Sequence, residues 1–434
     1  MKILNITKMF NTGKIEWNKL HIYFFYLFLF SIPFQTRKVF LTEYSFYSGA
    51  FTEYATFFIY ASDLFLILAL LLWLAFNKRE RIKSRKIQLF LLAFIAWLVI
   101  NTVIHSDYWK ISAFQIIKFI ELFLLLAYVY FNLANKKMLL TSLFVISLTG
   151  FLQGIIAIYQ FIFQQSLFNL TILAKITGET TIGPQIPGIA KIVIDGEKLI
   201  RAYGTFPHSN ILGSFLIFSI LISVYLLSEH KYAILSRYKL NYAQFYNIKL
   251  SKSQMKTIVS LIWIIIIFTQ ITALLFTFSR SAWAGFATSI LVLAFLLYFK
   301  RFNIVSRETM SQSKKNNIGK IDYNLNNVSR ETLFTKIINL KNKIIVKLSK
   351  NVSRETILDE IKNDTKKYIS DNVSRETFLN FKTKLNCYLL TIFISFLFIG
   401  LFDHYFWTLQ QGRLAFWLIL GMLLIDMRFK TENI

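Results

Sequence analysis

Cysteine, proline and acidic residues are all scarce in this chain. Among its 434 residues there are one cysteine, 4 prolines and 23 acidic residues, against 49 lysines and arginines. The single cysteine, Cys387, lies in an apolar run, so an internal disulfide is excluded and we expect the thiol to pack as a small apolar group. A net charge of +26 would indicate nucleic-acid binding in a soluble protein, but topology accounts for most of these charges and we expect no nucleic-acid partner.

Apolar residues are correspondingly abundant. They make up 55% of the chain, 45 residues are Phe, and the mean hydropathy is +0.50. This composition excludes a soluble globule, and several runs approach the roughly 20 residues that cross a bilayer as a helix, so the sequence predicts an all-α polytopic membrane protein. We expect about ten transmembrane helices, at 20–34, 56–76, 87–104, 111–131, 139–163, 210–228, 257–276, 281–299, 386–402 and 405–426.

The basic residues predict how these helices are oriented. If the N-terminus is inside, the inner segments hold roughly 39 of the 49 lysines and arginines, as the positive-inside rule requires. The one long outer loop, 164–209, is rich in glycine and proline and is expected to form ordered turns that cover or line a site. We therefore divide the chain into a transmembrane bundle over 1–299, an inner insert over 300–385 and a transmembrane hairpin over 386–434.

The inner insert is basic and of low complexity, and it carries the pentapeptide Val-Ser-Arg-Glu-Thr four times, at 305–309, 328–332, 352–356 and 373–377. The irregular spacing excludes a solenoid, whose units repeat at a near-fixed period. The pentapeptide can be encoded by GTTTCACGTGAAAC, which equals its own reverse complement. We therefore hypothesise an inserted DNA element tolerated in a cytoplasmic loop; the alternative is duplication of a neutral linker.

Three polar blocks interrupt the apolar runs. Residues 201–210 read RAYGTFPHSN and precede the sixth predicted span, residues 277–280 read TFSR and separate the seventh and eighth, and residues 403–412 read DHYFWTLQQG and follow the ninth. In the predicted topology all three lie on the outer face. An arginine inside an apolar segment costs about 3 kcal/mol at mid-bilayer, which makes Arg280 a functional candidate; snorkelling at the interface is the alternative.

These blocks resemble those of the O-antigen ligase and polysaccharide polymerase family of bacterial membrane proteins. The resemblance rests on the 201–210 block, on TFSRSAW and on a late histidine followed by Gly412 and Gly421, and it covers roughly 151–427 apart from the insert. It implies a fold like that of type C glycosyltransferases, in the bacterial cytoplasmic (inner) membrane, with the active face outward. Family members often carry a large outer loop before the late histidine, whereas His404 follows its span directly, so both ligase and polymerase remain open.

The activity implied by the resemblance is an inverting transfer of a glycan from an undecaprenyl-diphosphate carrier to a sugar-bearing acceptor. Arg201 and Arg280 would bind the diphosphate through bidentate hydrogen bonds, and His404 would take the proton of the attacking hydroxyl. We expect no cofactor and no bound metal, because the outer carboxylates are scattered; they are Asp107, Glu179, Asp195, Glu197 and Asp403.

Five further residues are expected to contact the substrate: Ser279, His208, Asn210, Tyr405 and Gln411. Of these, His208 is a second candidate base, and Asn210 is also placed to cap the N-terminus of the helix that follows. A transporter or flippase for envelope glycolipids is the alternative function, since it too could hold a diphosphate with outer arginines; the internal symmetry typical of transporters is not visible in the sequence.

Charged residues inside the predicted spans are explained most simply by helix packing. Lys118 and Glu121 are three residues apart on one face of a helix, which predicts an internal ion pair. Asp63 lies a turn or two inside the second span, and we expect it to make a polar contact between helices in preference to pairing with an outer arginine.

Overall fold

The computed structural model of the protein describes residues 17–76, 85–168, 172–229, 252–317 and 384–431. Most of the predicted insert lies outside the described residues, as do residues 77–84 and 230–251, which belong to segments predicted to be inner. The described helices are α1 Trp17–Ser31, α2 Ala61–Phe76, α3 Arg85–His105, α4 Trp109–Asn132, α5 Lys136–Phe163, α6 Ile172–Thr177, α7 Ser209–Ser228, α8 Lys252–Phe276, α9 Arg280–Asn317, α10 Lys384–Ile399, α11 Tyr405–Thr408 and α12 Gln410–Thr431.

Within the described residues, five helices are long and apolar enough to cross a membrane, judged by length and composition. They are α4, α5, α7, the 257–276 part of α8 and the 280–299 part of α9; four shorter apolar helices are α2, the 93–105 part of α3, α10 and the 410–425 part of α12. The chain is therefore mostly helical and has the character of a helical membrane protein, as the sequence predicts. The count of about ten spans stays a prediction.

Among the described residues, three short antiparallel strand pairs accompany the helices, so the chain is mostly but not purely α-helical. Strand β1, Arg37–Phe40, pairs antiparallel with β4, Phe57–Tyr60. The connection between these two strands contains a second, shorter antiparallel pair, formed by β2, Phe46–Tyr47, and β3, Ala50–Phe51. The predicted span at 56–76 is accordingly too long at its start, because residues 57–60 pair as a strand. Phe and Tyr satisfy both an apolar span and a strand, so hydrophobicity alone does not separate the two.

The third hairpin lies in the long loop. Strand β5, Lys191–Ile194, pairs with β6, Glu197–Ile200, across the turn Asp195–Gly196, whose two residues have φ of 51° and 85°. An Asp-Gly pair with both φ values positive is the sequence that a two-residue hairpin favours. Together with α6 it gives the loop the ordered turns that its glycines and prolines indicate.

Helix α7 is the most buried of the long helices and packs against both α5 and α8. Small residues permit the close approach, as is usual between membrane helices. A Cβ added at Gly150 would lie 1.9 Å from the hydroxyl of Ser219, and one added at Gly213 would lie 2.7 Å from the Cβ of Ala282. The N-terminus of α7 is thereby brought against the junction between α8 and α9.

By its contacts the chain divides into two units. One consists of Met1–Val292 with Tyr388–Ile434, and the other is Leu293–Cys387. The predicted insert at 300–385 falls within the second unit. In the first unit the predicted C-terminal span at 405–426 is broken into α11 and α12 at Leu409, which has an extended backbone.

Candidate functional site

The loop that carries Arg201 is held by two glutamines of α5. The side-chain oxygen of Gln160 accepts from the backbone N–H groups of Tyr203 (3.0 Å) and Gly204 (2.8 Å), and that of Gln153 accepts from the N–H of Thr205 (2.9 Å). Gly204 has φ of 59°, and a Cβ there would lie 2.6 Å from the side-chain oxygen of Gln153. The turn therefore requires glycine, and its backbone groups are satisfied without water.

The glutamines that hold this turn are seven residues apart, which places them on one face of α5. Sequence analysis missed them as supports of the site. The available signal was the presence of two amide side chains, two turns apart, in an otherwise apolar helix, where each requires a buried partner.

The second block forms the tight junction between α8 and α9. Phe278 has φ of 45°, and the hydroxyl of Ser279 accepts from the N–H of Ala282 at 3.3 Å, so Ser279 is the N-cap of α9. The side chain of Ser279 is 1% exposed. The structure thus gives Ser279 a helix-capping role, which serine performs well, and its contact with substrate stays a prediction.

The three polar blocks are in direct contact. The guanidinium of Arg201 donates from Nε to the carbonyl oxygen of Thr277 (2.6 Å) and from Nη2 to the side-chain oxygen of Asn210 (2.6 Å). Asn210 in turn donates to one carboxylate oxygen of Asp403 (3.1 Å), and the hydroxyl of Ser281 donates to the other. Asp403, in the third block, thus contacts the first block directly and the second through Ser281, the residue that follows it; sequence analysis counted Asp403 only as a scattered carboxylate.

The N-terminus of α7 is capped by His208 and not by Asn210. The ring nitrogen Nδ1 of His208 accepts from the backbone N–H of Asn210 (3.2 Å), and the N-cap prediction for Asn210 is wrong because its side chain bridges Arg201 and Asp403 instead. Burial and the positive charge of Arg201 lower the pKa of His208, while Asp403 acts in the opposite direction. A neutral ring that accepts through Nδ1 carries its proton on Nε2, so His208 is poorly placed as a base.

Arg280 is the first residue of α9 and is exposed. Within the part of the chain that the structure describes, its guanidinium has no hydrogen bond or ion pair with another side chain. It directly precedes Ser281, which bonds to Asp403, so it stands at the edge of the contact between the three blocks. Arg201, by contrast, is half-buried, and burial lowers the pKa of its guanidinium, which nevertheless stays protonated at any physiological pH.

His404 follows Asp403 and is exposed. Its Nδ1 lies 2.8 Å from the hydroxyl of Thr408, and the same hydroxyl donates to the carbonyl oxygen of His404 at 3.1 Å. Since a hydroxyl has one proton, Nδ1 must be the donor to it in the neutral ring. That assignment puts the lone pair on Nε2.

The two remaining residues predicted to bind substrate are buried. Tyr405 is 4% exposed, and its hydroxyl bonds to the hydroxyl of Ser214 on α7. Gln411 is 2% exposed, and its side-chain amide has no hydrogen-bond partner among the described residues. Gly412 has a packing reason of its own, because a Cβ there would lie 2.4 Å from the carbonyl oxygen of Tyr405.

The charged residues of the spans form a separate cluster. Lys118 and Glu121 make the predicted ion pair at 3.1 Å, and Lys118 also pairs with Asp63, so the predicted interhelical role of Asp63 is confirmed. Among the described residues, no group of three or more His, Cys, Asp or Glu side chains is placed to hold a metal ion.

No protein-family model, curated protein or solved structure matches this chain.

Proposed function

We propose that this protein transfers a glycan from a polyprenyl-diphosphate carrier to a sugar-bearing acceptor at the outer face of the bacterial cytoplasmic membrane, in the assembly of a cell-surface polysaccharide. The observation that carries the proposal is the contact of the three blocks through Arg201, Asn210, Asp403 and Ser281. It brings a fixed arginine, an exposed arginine and an exposed histidine to one end of an apolar helical bundle.

Arg201 supplies a preorganised half of the diphosphate site. Two of its five N–H groups are used by Thr277 and Asn210, which leaves three with no partner among the described residues. The guanidinium is thus locked in place before any ligand binds, and donors that need no reorganisation contribute most to stabilising charge that develops in a reaction.

Arg280 supplies the other half, and it is exposed at the beginning of α9. The N-terminus of a helix adds a partial positive charge to that of the side chain, which favours an anion at this position. Two guanidinium groups can neutralise the leaving diphosphate through paired hydrogen bonds, as a divalent cation does in other transferases.

His404 acts as the general base through Nε2. The acceptor hydroxyl gives its proton to Nε2, its oxygen forms a bond to the anomeric carbon, and the bond from that carbon to the diphosphate oxygen breaks. The carrier diphosphate leaves with the bonding electron pair. Attack opposite the leaving group inverts the anomeric centre, and Thr408 holds the imidazole in the tautomer that this step needs.

Ligase and polymerase activities differ only in the acceptor, and this proposal covers both. The alternative is a transporter or flippase for envelope glycolipids that holds the diphosphate with the same arginines. A transporter would present Arg280 to each side of the membrane in turn, whereas a transferase would keep it on one side. Thiol labelling of Arg280→Cys from each face separates the two.

The test is glycan transfer from a polyprenyl-diphosphate donor by purified, folded variants. We expect His404→Ala to retain donor binding and to lose about 10² to 10⁴-fold in transfer, the usual effect of removing a positioned base. Lysine should not replace Arg201 or Arg280, because a point charge lacks the planar fork. Arg37→Lys is the matched control, since Arg37 pairs with Glu53 in the first outer hairpin and lies outside the three blocks.

Full transfer by both Arg280→Lys and His404→Ala would overturn the proposed site and favour the transporter.

A further inference from the structure

A cluster of buried charges lies next to the candidate site without belonging to it. Asp63 on α2 and Lys118 and Glu121 on α4 are 2%, 6% and 9% exposed. Arg413 on α12 is 9% exposed and brings a second positive charge to balance the two carboxylates. Buried charges are costly even when paired, and such pairs give little net stability compared with apolar packing, so stability alone does not explain this cluster.

The cluster is connected to the segment that carries His404 by two hydrogen bonds. Gln410, the first residue of α12, donates to Asp63. Arg413 donates from Nη2 to the carbonyl oxygen of Thr408 at 3.1 Å and from Nη1 to the side-chain oxygen of Gln115 on α4 at 2.9 Å. The two contacts lie on either side of Leu409, the break between α11 and α12.

Arg413 is connected to His404 through one intermediate residue, Thr408. The backbone of Thr408 is held by Arg413, and the hydroxyl of Thr408 accepts from Nδ1 of His404 at 2.8 Å. The guanidinium bonds both Gln115 and Thr408 from a single fixed side chain because its donors are spread in a rigid plane. Lysine would keep the charge that balances the carboxylates but would lose this double contact.

We propose that Arg413 is a positioning residue that sets the orientation of His404 through Thr408. Gln115 anchors Arg413 in the bundle, and the Asp63–Lys118–Glu121 cluster holds the start of α12 through Gln410. This inference rests on the proposed function, in which His404 is the base. It assigns the buried charges a part in the reaction without giving any of them contact with substrate.

A double-mutant cycle between Arg413 and His404 tests the proposal. In the full-length protein in detergent, Arg413→Lys should lower the rate of transfer from a polyprenyl-diphosphate donor about 10 to 100-fold, the range expected for misplacing a catalytic group by about 1 Å. The KM for the donor should change little, because Arg201 and Arg280 are untouched. In the His404→Ala background the same substitution should change the rate by less than about 2-fold.

The controls separate positioning from loss of stability. Ser147→Ala removes a buried hydrogen bond of 2.6 Å between Ser147 on α5 and Ser223 on α7. This bond lies outside both the charged cluster and the candidate site. The substitution should have the same small effect on the rate in both backgrounds. If Arg413→Lys does not fold, Gln115→Leu decides, since it removes one contact of Arg413 and leaves every charge in place; it should show the same dependence on His404 with a smaller effect.

Equal effects of Arg413→Lys in the two backgrounds would overturn the inference while leaving the proposed function intact. Wild-type transfer by His404→Ala would instead overturn the base assignment on which both depend. The two failures are therefore distinguishable within one set of variants.

Discussion

Asp403 connects the candidate site at the scale of single side chains. Its two carboxylate oxygens accept from Asn210 of the first block and from Ser281, which follows the second block; Asn210 in turn accepts from Arg201. A carboxylate can accept hydrogen bonds from both neighbours at once, and its negative charge attracts the positive guanidinium of Arg201. It therefore positions the arginine of the first block and the start of α9 in the second.

We predict that Asp403→Asn lowers transfer about 10-fold and that Asp403→Ala lowers it further and reduces thermal stability. The amide keeps one acceptor but turns the other oxygen into a donor. Alanine removes the acceptor of both the side-chain amide N–H of Asn210 and the hydroxyl of Ser281, at about 1–3 kcal/mol for each donor that stays buried and unpaired. Transfer assays and melting curves in detergent measure both effects. The matched control is Asp107→Asn, an exposed outer carboxylate; equal losses in the two asparagine variants would refute the role.

Residue chemistry in the sequence identified Arg201, Arg280 and His404 as candidates, and the structure places them in or beside the contact of the three blocks. The partners of these residues were harder to predict. Asp403 meets Asn210 only because α7 packs against the ends of α9 and α10, and such tertiary proximity has no signature in spacing along the chain. Local geometry also decides the caps: Ser279 caps α9, whereas Asn210, predicted to cap α7, bridges Arg201 and Asp403 and leaves that cap to His208.

At the scale of elements, the apolar runs predict most helices to within a few residues, because a membrane-spanning helix needs a fixed length. The errors occur where backbone hydrogen bonding and not hydrophobicity decides the structure. Residues 57–60 pair as a strand, and the extended backbone at Leu409 ends α11 before α12 begins. The charged cluster was predicted only in its local part, since Lys118–Glu121 follows from helical spacing whereas Asp63 comes from another helix.

The cap of α7 carries a prediction about pH. Because the folded pKa of His208 is lowered, the unfolded chain takes up the proton first, near pH 6.5. The contribution of His208 to folding is therefore fully present above that pH and declines as the pH falls below it, by at most about 1.4 kcal/mol per pH unit. His208→Asn keeps a capping oxygen but has no titrating ring.

The melting temperature of the wild type should therefore fall more between pH 7.5 and pH 5.5 than that of His208→Asn, measured in one detergent. Carboxylates and other histidines contribute equally to both proteins and cancel in the difference. An identical fall in the two proteins would show that burial and the charge of Arg201 do not hold the ring neutral.

For the whole molecule, the division into two units separates the candidate site from the insert. Every residue of the site lies in the unit formed by Met1–Val292 and Tyr388–Ile434, and the repeated pentapeptides lie in Leu293–Cys387. Composition predicts little apolar surface for the insert to bury, and its irregular repeats give it no stacking period. We therefore expect the insert to affect the stability of the bundle no more than a long connecting loop does.

Deleting residues 306–382 is expected to leave both folding and transfer close to wild type. Lengthening a surface loop costs only about 0.6 kcal/mol of folding free energy per doubling of its length. Shortening the insert should therefore change the free energy of unfolding little, provided that a flexible linker of about ten residues joins the ends.

Removing the far shorter hairpin 191–200 is the contrasting variant. It should abolish transfer, because the hairpin brings Ala190 next to the turn that carries Arg201. The N–H of Arg201 donates to the carbonyl oxygen of Ala190, and the N–H of Ala190 donates to the hydroxyl of Tyr203. Melting curves and donor-to-acceptor transfer measured on both deletions decide the matter: loss of activity in the insert deletion, with its melting temperature unchanged, would show that the inner segment regulates the outer site.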